Sequence, residues 1–344
     1  MKKVTAAIGL LLAILIAYLL AWPVPVEPVS WNAPLDRGLV DPFESNDLLA
    51  NAIGITLGEY EGPEDATIGL DGRIYVTTSS GYVIAIHNGR VFEFSFPGGR
   101  PLGIEADSDG SLVVANAYLG LQRIDRDGNV TTLLGEVDGQ PLIYANNLAI
   151  GPDGTIYFSE ASSKFGAESS GGTYESSLLD IMEHGGHGRV FGFNPSNGNV
   201  DTLLDSLNFA NGVAVSDDGR YLLITETGHY RILKHWLSGE QQGTTEVLLE
   251  NLPGFPDNLN SGLQGRFWLG LAAPRNALLD KLSDKPMVRK IVQRLPAFAR
   301  PKAVPSSHVV AFNGDGQVLM NLHDPLARFP TLTGVVETNH SLYL

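Results

Sequence analysis

The stretch "NFANGVAVSDDGRYLLITE", residues 208–226, decides the fold. An alternating apolar segment runs into an Asp-Asp-Gly turn and out into a second β-rich segment, which is the pattern of a hairpin. The same pattern recurs in "ATIGLDGRIYVTT" (66–78), "LGIEADSDGSLVVAN" (102–116), "NLAIGPDGTIYFSE" (147–160) and "VVAFNGDGQVLMNL" (309–322), with a weaker copy in "LNSGLQGRFWLGL" (259–271). The turn glycines are Gly72, Gly110, Gly154, Gly219, Gly265 and Gly316, spaced by 38, 44, 65, 46 and 51 residues. Periods of about 40–50 residues with four strands each belong to a β-propeller. Further strands fit between the hairpins, at "YVIAIHN", "RVFEFSF", "RVFGFNP" and "NVDTLLD". The sequence therefore predicts an all-β, six-bladed β-propeller over residues 51–344, with "NAIGITLGEY" (51–60) offering a closing strand.

Ahead of it, Lys2 and Lys3 precede an uninterrupted apolar run over residues 4–23. About 20 apolar residues cross a bilayer of about 30 Å, whereas the apolar core of a cleaved signal is shorter and ends at an A-x-A-like site. No such site follows, so an N-terminal transmembrane helix is favoured over a signal peptide. Residues 1–3 are then cytoplasmic, and the propeller is extracytoplasmic, in a periplasmic, lumenal or extracellular space. Residues 24–50, rich in proline, read as a stiff stalk. The partners are a lipid bilayer and a small-molecule substrate. A net charge of -15 argues against nucleic acid as a partner. The absence of cysteine excludes disulfides and thiolate chemistry.

In a propeller the residues just before each first strand converge on the central channel, one set from each blade. Here they are Glu64 and Asp65, Leu102, Asn146 and Asn147, Asn211, then Asp257 and Asn258. Oxygen donors on separate rigid elements suit a hard cation, and calcium takes six to eight of them. Two carboxylates, Glu64 and Asp257, match one divalent charge. With neither Cys nor His in these slots, zinc and copper are poor fits. Each residue alone has a simpler reading as a turn residue. Their recurrence in equivalent slots is what points to a metal.

The chain resembles the calcium-dependent six-bladed propellers that group gluconolactonases, paraoxonases and strictosidine synthase, in the strictosidine synthase-like branch. The resemblance rests on "RPLGIEAD", "FANGVAVSDDGRYLLITETGHYRILKHWLSG", "LPGFPDNL" and "LSDKPMVRK" and covers about residues 55–344. It implies that Glu64, Asn146, Asn211 and Asp257 hold a catalytic Ca2+, with Asn258 able to join them. It also implies that Asp65 matches a position serving a second, structural ion, whose next ligand should be acidic where this chain has Asn147. Two departures matter. The paraoxonase-type histidine pair is replaced by Leu102 and Ala117, and the glutamate of the condensing enzymes falls at Thr333.

Three functions remain open. The first is a calcium-dependent hydrolase of small esters or lactones, with Asp257 as base, nucleophile or pure ligand. The second is a propeller that keeps calcium for stability and binds a ligand or partner. The third, a strictosidine synthase-type condensation, is disfavoured by Thr333. Asn116, Glu160, Glu226 and His229 follow second strands and share the site face, lining a substrate pocket with Leu102 and Ala117. His229, as a histidine, is a candidate base, or else a rim residue. Two insertions reach the same face. Residues 161–189 are Gly/Ser-rich and read as a lid whose His184 and His187 sit in a flexible loop. Residues 274–301 carry helical apolar stripes and basic residues, suited to capping the funnel, touching the membrane or packing on the blades.

Overall fold

The computed structural model describes residues 2–344. Five four-stranded antiparallel sheets follow one another, each with its strands paired in chain order. Blade 1 comprises Ala66–Ile68, Ile74–Thr77, Val83–His87 and Arg90–Ser95. Blade 2 comprises Pro101–Ala106, Leu112–Asn116, Gly120–Ile124 and Val130–Leu134. Blade 3 comprises Ala145–Ile150, Ile156–Glu160, Gly188–Asn194 and Asn199–Leu207. Blade 4 comprises Ala210–Val215, Tyr221–Glu226, Arg231–Trp236 and Thr245–Leu249. Blade 5 comprises Gly254–Ser261, Arg266–Pro274, Ser307–Asn313 and Val318–Asp324. The four extra strands read from the sequence are all present. Inner strands are buried and outer ones half exposed, because facing blades bury their alternate residues against each other. Blades 2 and 3, for example, enclose Val113, Leu121, Leu148, Phe158 and Phe191.

The expectation of six blades needs correction: five are complete. After Thr333 the chain forms only a two-stranded ladder, Val336–Glu337 with Leu342–Tyr343, beside the first strand of blade 1. The Gly316 hairpin misled the count. It joins the third and fourth strands of blade 5, not the first two of a sixth blade. A long insertion between the second and third strands of blade 5 had stretched the spacing to that of a repeat.

Four α-helices decorate the propeller. Helix α1, Lys2–Ala21, is apolar beyond Lys2, Lys3 and Thr5, and none of its residues is buried. Helix α2, Thr173–Glu183, lies between the second and third strands of blade 3. Helices α3, Ala277–Lys281, and α4, Pro286–Arg294, form the corresponding insertion of blade 5. The side chain of Asn276 caps α3 by accepting from Leu278 N and Leu279 N at 3.1 and 3.0 Å, and Pro286 opens α4.

Residues 24–50 are not a free stalk. Val26 is fully buried among Phe165, Met182, Leu279 and Val292. Val29 N donates to Glu183 O at 2.8 Å, and the stretch around Asn46 bonds along the edge strand of blade 5 at Asn321 and His323. Residues 51–65 pack Leu57 and Tyr60 on blade 1 but form no closing strand.

Candidate functional site

The first strands of blades 2 to 5 share one irregularity. Their register shifts between Pro101 and Ile104, Ala145 and Leu148, Ala210 and Val213, and Pro256 and Leu259. A β-bulge re-aims the side chains it spans. Those spans contain Leu102, Asn146 with Asn147, Asn211, and Asp257 with Asn258. The bulge is thus the local device that carries each blade's contribution to the axis. At blade 4 it needs glycine: a Cβ on Gly212 would lie 2.3 Å from Leu259 N and 2.6 Å from Asp257 O, both backbone atoms of blade 5.

Around the axis, Asn211 Nδ2 donates to Asp257 Oδ1 at 2.6 Å and to Thr227 Oγ1 at 3.3 Å. Asn258 Nδ2 donates to Glu64 O at 3.1 Å, and Thr333 Oγ1 donates to the same carbonyl at 2.5 Å. Arg100 pairs with Glu64 Oε2 at 2.9 Å. Burial raises the Glu64 carboxyl against the pull of Arg100, while burial and the Glu64 charge push Asp257 well above the ordinary carboxylate range. Two buried carboxamide oxygens, Asn211 Oδ1 and Asn258 Oδ1, have no hydrogen-bond partner. Asn146, on the equivalent bulge of blade 3, is buried as well. Two carboxyls raised by burial, Asp257 further by the charge of Glu64, with buried oxygens left bare, form an arrangement that a cation would complete. Among the described residues no three His, Cys, Asp or Glu side chains gather to hold a metal. The donors here are two carboxylates and three carboxamides, all oxygen, which fits calcium rather than zinc. Thr227 and Arg100 escape the sequence reading, since nothing in their spacing marks them, and Thr333, expected only as the replacement of a catalytic glutamate, joins the set by its bond to Glu64 O.

One layer along the channel, Asp65 has no oxygen to spare for a second ion. Oδ1 accepts from Ala66 N at 2.9 Å and Asn260 Nδ2 at 3.1 Å, and Oδ2 from Asn147 Nδ2 at 3.2 Å and Ile104 N at 3.3 Å. Asn147 Oδ1 accepts from Val213 N at 3.0 Å, and Asn260 Oδ1 from Val335 N at 2.9 Å. Asp65 therefore ties the first strands of the blades into a ring.

The predicted pocket residues at second-strand ends are hydrogen-bonded clamps. Asn116 Oδ1 accepts from Arg100 N at 3.0 Å, Glu160 Oε1 from Ile143 N at 3.1 Å, and Glu226 Oε1 from Asn208 N at 2.8 Å. Each holds the backbone just ahead of its own first strand. Arg189 pairs with Glu160 at 2.5 Å and Arg231 with Glu226 at 2.6 Å. His229 Nδ1 meets Glu226 Oε1 at 2.6 Å, and its Nε2 faces His184 Nε2 at 3.2 Å. His184 is not in a loose loop: Trp31 stacks on it at 4.0 Å and burial depresses its pKa to about 3. His187 pairs with Glu183 at 2.7 Å. Leu102 and Ala117 join Tyr144, Ala161, Ala167 and Phe209 in one buried apolar cluster, with Ile181 of α2 against it.

The match to known proteins follows these elements. The strictosidine synthase family model matches residues 146–240, and that of the strictosidine synthase-like N-terminal region matches residues 41–86. Adipocyte plasma membrane-associated protein of Bos taurus is 33% identical over 95% of this chain and 83% of its own length. Strictosidine synthase-like protein 3 of Arabidopsis thaliana is 29% identical over 86% of this chain and 82% of its own. Among solved structures, a gluconolactonase from Xanthomonas campestris superposes with a TM-score of 0.58 at 18% identity, over 81% of this chain and 80% of that one. The calcium-binding protein regucalcin from Agrobacterium tumefaciens gives 0.54 at 16% identity, over 79% and 77%. At such identities the two structures speak for the propeller fold alone. By its sequence relatives, the chain belongs to the strictosidine synthase-like family.

Proposed function

We propose that this chain is a membrane-anchored, calcium-dependent hydrolase of small esters or lactones. The observation that carries the reading is the buried oxygen set of Glu64, Asn211, Asp257 and Asn258, with two carboxamide oxygens bare. Glu64, Asn146, Asn211, Asp257 and Asn258 would hold the ion. When bound, calcium polarises a carbonyl oxygen and acidifies a coordinated water. Asn211 Nδ2 fixes Asp257 by one oxygen, which leaves the other to take a proton or attack a carbonyl. Arg100 occupies Glu64 Oε2, and Thr227 orients Asn211. The gluconolactonase and regucalcin propellers lend the reading support by analogy of fold. His229 is the second candidate base. Its Nδ1–H goes to Glu226, so its lone pair lies at Nε2, where a substrate proton would displace the bond to His184. Helix α1 is the bilayer anchor, long enough at 20 residues to span about 30 Å.

A second reading is a calcium-stabilised propeller that binds without turnover. It is favoured by the close burial of Leu102, Ala117, Tyr144 and Phe209 beside the ion set. An arylester and lactone panel on the full chain in detergent, with and without chelator, tests the choice. Turnover lost with chelator and with Asp257→Asn, while the folded signal persists, supports the hydrolase. A folded, calcium-loaded chain that turns over nothing favours the binding reading.

A further inference from the structure

The C-terminal end of α1 is bolted to α4. Arg294 Nε donates to Trp22 O at 2.6 Å and Nη1 to Leu19 O at 2.9 Å, while Tyr18 OH donates to Arg294 O at 3.0 Å. An arginine from another helix thus satisfies carbonyls that the last turn of α1 leaves open. No slack separates the two elements, because Val24 and Val26 continue straight into the apolar cluster with Leu279 and Val292. Lys290 also pairs with Glu27, and Arg289 is fully buried on Met182 O, Val29 O and Ser283 O. If α1 crosses a bilayer, its last turn lies at the headgroups, where Tyr18 and Trp22, 5.6 Å apart, form an interfacial aromatic pair. Helix α4 is then held at the same depth.

What the α3–α4 insertion leaves uncovered fits that position. Met287, Phe298 and Val304 are 61%, 84% and 57% exposed. In the same insertion Lys281 and Lys302 are exposed, in a protein of net charge -15. Exposed apolar side chains interleaved with lysines are the composition of a surface that sits on anionic headgroups. The insertion also packs on the site face: Tyr230 OH, just past the second strand of blade 4, donates to Asp280 Oδ1 at 2.9 Å.

We propose that the α3–α4 insertion docks on the anionic bilayer that carries α1 and so holds the ion-site face of the propeller toward the membrane. The inference rests on the anchor reading and is independent of turnover. Because the chain has no cysteine, single-cysteine variants of the full-length protein give unique positions for an environment-sensitive fluorophore. Leu11→Cys reports α1, Met287→Cys and Phe298→Cys report the insertion, and Leu70→Cys reports the opposite face. The proteins are placed in nanodiscs containing phosphatidylserine, with or without doxyl-labelled lipid. Quenching at positions 11, 287 and 298 but not at 70, weakened at 287 and 298 by Lys281→Glu with Lys302→Glu, is the expected result. Quenching at 11 alone overturns the docking and leaves the anchor standing. No quenching at 11 removes both. Lipid-independent shielding of position 298 in a particle of dimeric mass assigns the surface to a second copy and also overturns the proposal.

Discussion

Asn211 Nδ2 donates to Asp257 Oδ1 at 2.6 Å across the joint between blades 4 and 5, and Asn211 Oδ1 is left buried without a partner. One amide thus fixes a carboxylate and points its own oxygen at the same place. A bound cation would relieve both the bare oxygen and the raised Asp257 carboxyl. Calcium should therefore raise the melting temperature of the wild-type chain. Asp257→Asn and Asn211→Leu should each weaken calcium binding by at least about tenfold, a loss of about 1.4 kcal/mol. Calorimetry of calcium binding checks this, and unchanged affinity in both variants would sink the metal assignment.

Gly212 sets how closely the two strands approach. A methyl group there meets three backbone positions of blade 5, Asp257 O, Asn258 C and Leu259 N, and backbone cannot rotate away as a side chain can. Gly212→Ala should cost roughly 2 kcal/mol or more in stability through overpacking. It should also weaken calcium binding, since Asp257 and Asn258 sit at the displaced strand. Denaturant unfolding with and without calcium measures both. A variant as stable as wild type would show that the joint is looser than described.

Arg100 competes with a cation for Glu64. Its guanidinium lies 2.9 Å from Glu64 Oε2, with both side chains largely buried. Removing that positive charge raises the negative potential at the axis. Arg100→Gln should tighten calcium binding several-fold while lowering stability in chelator, because Glu64 is left without its partner. Weaker calcium binding in the variant would instead make Arg100 an organiser of the site rather than a competitor.

Much of this was legible in the sequence because the hairpin pattern repeats. Four of the five first-to-second-strand hairpins carry an Asp-Gly turn, and their common register, with the weaker Gln-Gly copy of blade 5, singled out Asn146, Asn211 and Asp257, which lie on bulges inside the first strands rather than ahead of them. The blade count failed at Gly316 because an Asp-Gly turn looks the same between outer strands as between inner ones. Residues 24–50 failed for another reason. Proline content signals stiffness but not whether a neighbour is present, and here Val26 and Trp31 found α4 and His184. Arg100 and Thr227 are ordinary in sequence; Arg100 reaches the site by crossing to Glu64 and Thr227 by folding back on Asn211 of its own blade.

Glu226 anchors the turn that carries Thr227 and His229. Its carboxylate accepts from Asn208 N, His229 and Arg231 and is almost wholly buried. Burial alone would raise its pKa, but the hydrogen bond and charge of His229, the Asn208 amide and Arg231 together hold it at about 2. The stability it contributes is therefore present above the ordinary carboxylate value and lost as pH falls toward 2. In Glu226→Gln an amide N–H2 faces Arg231 or His229, donor against donor. The cost should be about 3 kcal/mol near neutral pH, read by urea unfolding. A loss below about 0.5 kcal/mol would show that the clamp is dispensable.

Asp180 of α2 runs the other way. Both its carboxylate oxygens are buried and neither has a well-formed hydrogen bond; burial raises its pKa to about 7, helped by the nearby Glu183 charge and opposed only by a weak contact with Ser162 and the charge of Lys164. The folded chain then holds a proton that the unfolded chain releases near pH 4. Between those values the native state binds more protons, so this group's contribution to stability falls as pH rises. Above pH 7 the folded protein carries a buried, unpaired charge. Asp180→Asn should therefore stabilise the chain by about 1–3 kcal/mol at pH 8.5 and by less than half as much at pH 5. Melting curves of both proteins across that range give the difference directly. A stabilisation that is the same at both pH values would mean that Asp180 is already ionised in the folded chain at pH 5.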